Sequence, residues 1–244
     1  DADLDLAVRE CVAGALSFNG QRCTALKMLL VHRSIVQPFL QRLTAAVDAL
    51  KVGMPWDDGV QITPLPGPHR TAYMDEALRD AQAQGAKVLN AGGGESSVTL
   101  YRPAVVYPVR EGMKLYREEQ FGPLVPVADF EDVEEALQYV VTSEHGQQVS
   151  LFGNDPAQLG ALIDPLVNQV SRVNINSQCQ RGPDVFPFAG RKDSAEGTLS
   201  VTDALRAFSI RSMVAARQTP ANEQLLNAIS EQHHSRFVHT SFLF

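Results

Sequence analysis

Leu4, Ala7, Val8, Cys11, Val12, Ala15 and Leu16 recur at helical spacing, which predicts an amphipathic helix closing near Asn19-Gly20. Asp1, Asp3 and Asp5 bring carboxylates to its start, where the helix dipole favours them. The apolar run over 28–31 reads as a buried strand. Ser34 then reads as the N-cap of a second helix carrying Ile35, Phe39, Leu43, Val47 and Leu50. Residues 53–68 are turn chemistry, and a third helix is predicted over 70–84, stopped by Gly85. Beyond it the pattern predicts strands at 87–90, 104–107 and 124–130, a helix at 132–142 and a strand at 149–152. A helix at 156–168 and a strand at 172–175 follow. This alternation is that of an α/β domain with a mostly parallel sheet flanked by helices. Residues 207–214 form a further strand candidate. The stretch 217–244 carries Leu225, Leu226 and Ile229 at helical spacing, then the apolar end Ser241-Phe242-Leu243-Phe244.

Composition narrows the function. The 244 residues are 44% hydrophobic and 20% charged, enough for one large domain with a real core. The formal charge of −7 argues against nucleic acid or an anionic membrane surface as partner, though a local basic pocket stays open. No apolar run approaches the ~20 residues that cross a bilayer. Three cysteines, Cys11, Cys23 and Cys179, are too few for a disulfide framework and fit a reducing compartment, so the cytoplasm is expected. Gly92-Gly93-Gly94 lacks the Lys-Ser/Thr of a phosphate loop, and His233-His234 has no metal-ligand spacing. No metal site is expected.

Three segments could carry chemistry. Cys23 sits in the polar turn Asn19-Gly20-Gln21-Arg22-Cys23-Thr24, where Arg22 would favour the nucleophilic thiolate. Cys11, on the apolar helix face, reads as core. Glu118-Glu119-Gln120-Phe121-Gly122-Pro123 brings a carboxylate and a ring to the edge of a strand. A carboxylate accepts two hydrogen bonds from a ribose diol, and a phenyl ring packs on a flat cofactor. The third, 174–190, opens a strand end into a polar and aromatic loop. There Arg181 offers a planar fork to carboxylate or phosphate, or is a surface charge.

Together and in this order, the three segments resemble the catalytic domain of the aldehyde dehydrogenase superfamily, over residues 1–214. The chain is most similar to its non-phosphorylating, NADP-dependent glyceraldehyde-3-phosphate branch. That likeness rests on Phe18-Asn19-Gly20-Gln21-Arg22-Cys23-Thr24-Ala25, Ile62-Thr63-Pro64-Leu65-Pro66 and 180–188. The resemblance implies that Cys23 attacks the aldehyde to give a thiohemiacetal. Hydride transfer to NADP or NAD then leaves a thioester, and hydrolysis releases the acid. It further implies that Glu119 holds the nicotinamide ribose with Phe121 packed nearby, and that Arg22, Arg181 and Phe188 bind the phosphorylated substrate. A homo-oligomer, dimer or tetramer, built through a late strand is implied too. The domain boundaries that follow are 1–206 catalytic, 207–216 oligomerisation strand and 217–244 C-terminal extension.

The family's general-base Glu, its oxyanion Asn and its Rossmann-like cofactor domain belong to text that would precede Asp1, and none occurs in these residues. The chain therefore resembles a C-terminal half, expected to have little or no dehydrogenase activity alone. Three alternatives remain. A broad-specificity aldehyde dehydrogenase would lose all aldehydes equally when Arg22 or Arg181 is replaced. A thiol esterase would need a His beside Cys23. An assembly or pseudoenzyme module would associate without turnover.

Overall fold

The computed structural model describes residues 1–198 and 200–238; the apolar end at 241–244 lies outside the described residues. Helix α1 (Leu4–Leu16) is capped by Asp3, whose carboxylate accepts from the Asp5 and Leu6 amides at 3.0 and 3.1 Å. It stops short of Asn19-Gly20, because Phe18 and Asn19 turn left-handed inside a short 3-10 turn, Ser17–Gly20. Strand β1 (Leu29–His32) leads into α2 (Val36–Asp48). Ser34 does not cap α2; its hydroxyl pairs with His32 Nδ1 at 2.8 Å, and Ile35 occupies the cap position without a side-chain bond.

After α3 (Pro68–Ala83), β2 is only Lys87–Val88, two residues shorter than the sequence pattern predicts. Beyond Leu89 the side chain of Asn90 takes over the pairing: it accepts from the Val105 amide at 2.8 Å and donates to the Pro103 carbonyl at 2.9 Å. A small hairpin follows, β3 (Ser96–Ser97) and β4 (Leu100–Tyr101), and then β5 (Ala104–Tyr107). One helical turn, α4 (Lys114–Arg117), precedes β6 (Leu124–Phe130). Next come α5 (Val133–Thr142), closed by an Asp132–Glu135 capping box, and β7 (His145–Gly146). The remaining elements of this part are β8 (Gln148–Leu151), α6 (Pro156–Leu166), β9 (Arg172–Ile175) and β10 (Arg191–Lys192).

The main sheet has the order β1-β6-β5-β2. Pairs β1–β6 and β5–β6 are parallel and β2 joins antiparallel, so the sheet is mixed with a parallel centre. Alternation along the strands divides its two faces. Val105, Val125 and Val127 pack with α1 and α2, whereas Ala104, Val106 and Leu124 pack with Met74, Ala77 and Leu78 of α3. Strands buried on both faces explain why these segments read as continuous apolar runs. A second parallel pair, β8–β9, stands apart from this sheet.

Chain contacts define two units, 1–182 with 188–197, and 183–187 with 198–244. The second holds α7 (Val201–Ala207), capped by Ser200, and α8 (Pro220–Glu231), capped by Thr219. Among the described residues no strand forms at the expected 207–214: Ala207 closes α7 and no ladder follows it. Phe208 and Ile210 of this segment are 94% and 95% exposed.

Candidate functional site

Burial sorts the three thiols. Cys11 is buried, and that burial, with Cys179 and Glu10 adding to it, pushes its pKa up to about 12. Cys179 is also buried, which raises its pKa; the Ser150 hydroxyl lies 3.3 Å away and the Asn174 amide 3.7 Å. Cys23 alone is exposed, on the turn between the 3-10 segment and β1. A thiolate is the attacking form, and sealed thiols resist forming it.

The turn beneath Cys23 is fixed by its neighbours. Asn19 is buried and clamps Thr63: its amide donates to the Thr63 carbonyl at 3.0 Å and hydroxyl at 3.1 Å, while its oxygen accepts from the Thr63 amide at 2.9 Å. Gly20 has φ +69°, and a Cβ there would sit 2.5 Å from the Gly122 carbonyl oxygen. Only glycine lets the cysteine turn approach the 118–123 segment this closely. That segment is held in turn. Gln120, buried, donates to the Lys27 carbonyl at 3.2 Å and to Leu124 at 2.9 Å, and Arg70 donates to the Gln120 and Phe121 carbonyls at 2.7 and 2.9 Å. Lys27 Nζ donates to the Glu118 carbonyl. Burial lowers the Lys27 pKa to about 8, against the pull of Glu119 and Glu118.

With both segments pinned, Glu119 stays exposed and Phe121 half-buried. These two residues and Cys23 line one cavity, and Arg22, Lys27, Glu119 and Phe121 share a small crevice beside it. Arg22 donates to the Gly14 carbonyl of α1 at 3.1 Å, while its Nε is buried with no hydrogen-bond partner. Burial lowers its pKa, opposed by the Cys179 and Cys23 sulfurs, so the guanidinium lies within electrostatic range of both. The loop after β9 also reaches α1: the Gln178 amide donates to Glu10 at 3.1 Å, and Gln178 lies against Gly14.

Arg181 and Phe188 meet each other, the guanidinium 5.5 Å from the ring centre. Neither lines the cavity that holds Cys23. The arrangement thus joins Cys23, Arg22, Glu119 and Phe121, and keeps Arg181 with Phe188. His32 is engaged by Ser34, and among the described residues no imidazole hydrogen-bonds to Cys23. Sequence reasoning missed the holding residues Lys27 and Arg70, in apolar and helical surroundings, and gave no role to Gln120 within the 118–123 segment. The Asn19-Gly20 pair did carry one, as a dipeptide suited to left-handed backbone.

Comparison with known proteins places this site in context. The family model described as "Aldehyde dehydrogenase family" matches residues 1–214. The chain is 39% identical to the NADP-dependent glyceraldehyde-3-phosphate dehydrogenase of Streptococcus equinus, over 90% of this chain and 44% of that protein. It is 34% identical to the enzyme of the same name from Nicotiana plumbaginifolia, over 91% of this chain and 44% of that one. The crystal structure of NADP-dependent glyceraldehyde-3-phosphate dehydrogenase from Bacillus halodurans C-125, complexed with NADP, superposes with a TM-score of 0.80. The two are 34% identical, over 84% of this chain and 42% of that one. The chain therefore spans less than half the length of the curated relatives it matches.

Proposed function

Because the chain belongs to the aldehyde dehydrogenase family, we propose that Cys23 is the nucleophile of an aldehyde oxidation whose favoured substrate is glyceraldehyde 3-phosphate. One observation carries the reading: the single exposed thiol stands on a turn that Asn19 ties to Thr63 and that Gly20 lets pack against Gly122, in the segment that presents Glu119 and Phe121.

Cys23 Sγ adds to the aldehyde carbon, giving a thiohemiacetal whose oxygen the Cys23 backbone N–H helps to hold. NADP or NAD, when bound, supplies the hydride acceptor. An exposed carboxylate beside a half-buried ring suits the ribose and flat ring of such a cofactor, so Glu119 and Phe121 fit that group. The Cys23 thioester is then hydrolysed by water, which frees the acid and restores the thiol. Arg22 supports a phosphorylated substrate because its buried Nε is a charged donor in want of an acceptor. Arg181 and Phe188, which meet each other outside the Cys23 cavity, are assigned to the substrate by the family resemblance alone. The names of the relatives support the same substrate and NADP.

The enzyme works in the reducing cytoplasm as a homo-oligomer, its catalytic domain covering 1–206, its pairing strand 207–216 and its extension 217–244. On their own, these residues turn over little or no substrate, since no Glu-Leu-Gly-Gly segment is among them. The test begins with the intact mass of the protein as its source makes it. That form is then assayed for NADP reduction with glyceraldehyde 3-phosphate. Where turnover is seen, Cys23→Ala should lower kcat by at least about a thousandfold; turnover surviving that change overturns the assignment. Robust turnover by a 26.6 kDa chain beginning at Asp1 would overturn the expected inactivity.

A further inference from the structure

The reaction assigned to Cys23 leaves one amine at its side without a chemical task. Among the described residues Lys27 is the only lysine that lines the cavity of Cys23, Glu119 and Phe121. It follows Cys23 by four positions. The Ala25 amide donates to the Arg22 carbonyl at 3.0 Å and folds the chain between them. The two backbones therefore stand closer than the ~14 Å that four extended residues span. Lys27 also shares the adjoining crevice with Arg22, Glu119 and Phe121.

Both ends of Lys27 are tied to the 118–120 segment. Its Nζ donates to the Glu118 carbonyl, and the Gln120 side chain donates to the Lys27 carbonyl at 3.2 Å. An amine that keeps one N–H on that carbonyl turns its lone pair away from it once a proton is lost. Burial disfavours the ammonium and lowers its pKa to about 8, opposed by Glu119 and Glu118, which face it. Around these carboxylates stand Tyr73, whose hydroxyl donates to Glu118 at 2.9 Å, and Arg70, bonded to the Gln120 and Phe121 carbonyls. Arg22 and Cys23 are the nearest charged or titratable groups on its own stretch of chain. Near pH 8 about half of the amine is neutral and nucleophilic.

We propose that Lys27 is a self-acylation site: an acyl group carried by Cys23 as a thioester passes to the Lys27 amine. The Nζ lone pair attacks the thioester carbonyl carbon. A C–N bond forms, the C–S bond breaks with its electron pair leaving on sulfur, and the proton released from nitrogen restores the Cys23 thiol. No oxidant or cofactor enters this step. The amide resists hydrolysis, so the transfer is a dead end that removes a positive charge beside Glu119. Water competes with the amine for the thioester, so the transfer gains wherever hydrolysis is slow. The inference rests on the reading of Cys23 as nucleophile.

The test exposes the 244-residue chain to p-nitrophenyl acetate, whose acetyl group loads Cys23 without a cofactor. One portion is mapped directly with trypsin, and another after hydroxylamine, which strips thioesters and spares amides. Acetyl-Lys27 blocks cleavage and leaves the peptide 23–33 whole. Acetylation at Lys27 should exceed that at Lys51, Lys87 and Lys114 by about tenfold or more. Its rate should rise through about pH 8 and then level off. In Cys23→Ala it should fall to the level of the other lysines. A Cys23 thioester without acetyl-Lys27, or equal Lys27 labelling in Cys23→Ala, would overturn the transfer and leave the nucleophile in place. No acetyl group on either residue would instead overturn the reading of Cys23 itself, and the transfer with it.

Discussion

The cysteine turn with the 118–123 segment, and the loop over 180–190, both carry residues assigned to one reaction, yet they are built in opposite ways. In the first, Asn19 and Gln120 are buried, Lys27 is half-buried, and all three bond to backbone, while Cys23 and Glu119 are left exposed. In the second, Arg181 and residues 183–187 are exposed, and the guanidinium rests on the Phe188 ring. The difference teaches that half of a catalytic motif is framework. The buried polar residues of the motif hold the geometry, and the residues proposed to react are the ones left exposed. Reaction chemistry demands placement within tenths of an ångström, which the clamped region supplies. Recognition of a charged substrate tolerates a more open support.

The comparison can be broken at the clamped side first. Gly20→Ala should have the largest effect on stability, about 2–4 kcal/mol, because its Cβ would press on the backbone of Gly122 and of Ala15 at positive φ; the urea midpoint measures it. An unshifted midpoint would mean that the turn does not rest on Gly122. Asn19→Ala should cost about 1–3 kcal/mol through three lost hydrogen bonds to Thr63, and should speed alkylation of the neighbouring sealed thiols as the turn loosens.

An acid titration sharpens the contrast away from the site. Burial works against ionised Asp129, but hydrogen bonds from Arg110, Arg33 and Tyr107 outweigh it and hold its pKa below the usual value. The folded carboxyl thus binds its proton less readily than the unfolded one, whose pKa is about 3.9. Its stabilisation is present above that value and lost as pH falls through the lower folded pKa. Asp129→Asn should therefore flatten the acid limb of stability below about pH 4, while a limb of unchanged slope would show that the three donors do not act on it. The smallest effect is expected at Ile210→Asp, within about 0.5 kcal/mol for the single chain, because the residue is 95% exposed. Sedimentation should register the change instead, as weaker association, if 207–216 pairs across copies.

Much of this was legible in the chain. The strands at 104–107 and 124–130 match their predicted bounds because they are largely buried on both faces and read as apolar runs; 172–175 matches too, although only Asn174 of it is buried. What escaped were pairings decided by side chains or by distance in sequence. Asn90 ends β2 by standing in for a ladder, Ser34 turns to His32, and β7 meets β10 across 45 residues with two residues each. At the site, Cys23, Glu119 and Phe121 stand out in the sequence as chemistry on turns, and the folded chain brings them to one cavity. Lys27 and Gln120 were not, since their role depends on a carbonyl that only the folded chain brings near.

The central claim is that Cys23 is the one available thiol and that it stands where a phosphorylated aldehyde binds. Peptide-mapped alkylation of the chain by iodoacetamide, with and without glyceraldehyde 3-phosphate, tests it most directly. The account predicts labelling at Cys23 and not at Cys11 or Cys179, slowed severalfold by glyceraldehyde 3-phosphate and less by glyceraldehyde. Equal labelling of all three cysteines, or no difference between the two aldehydes, would contradict it.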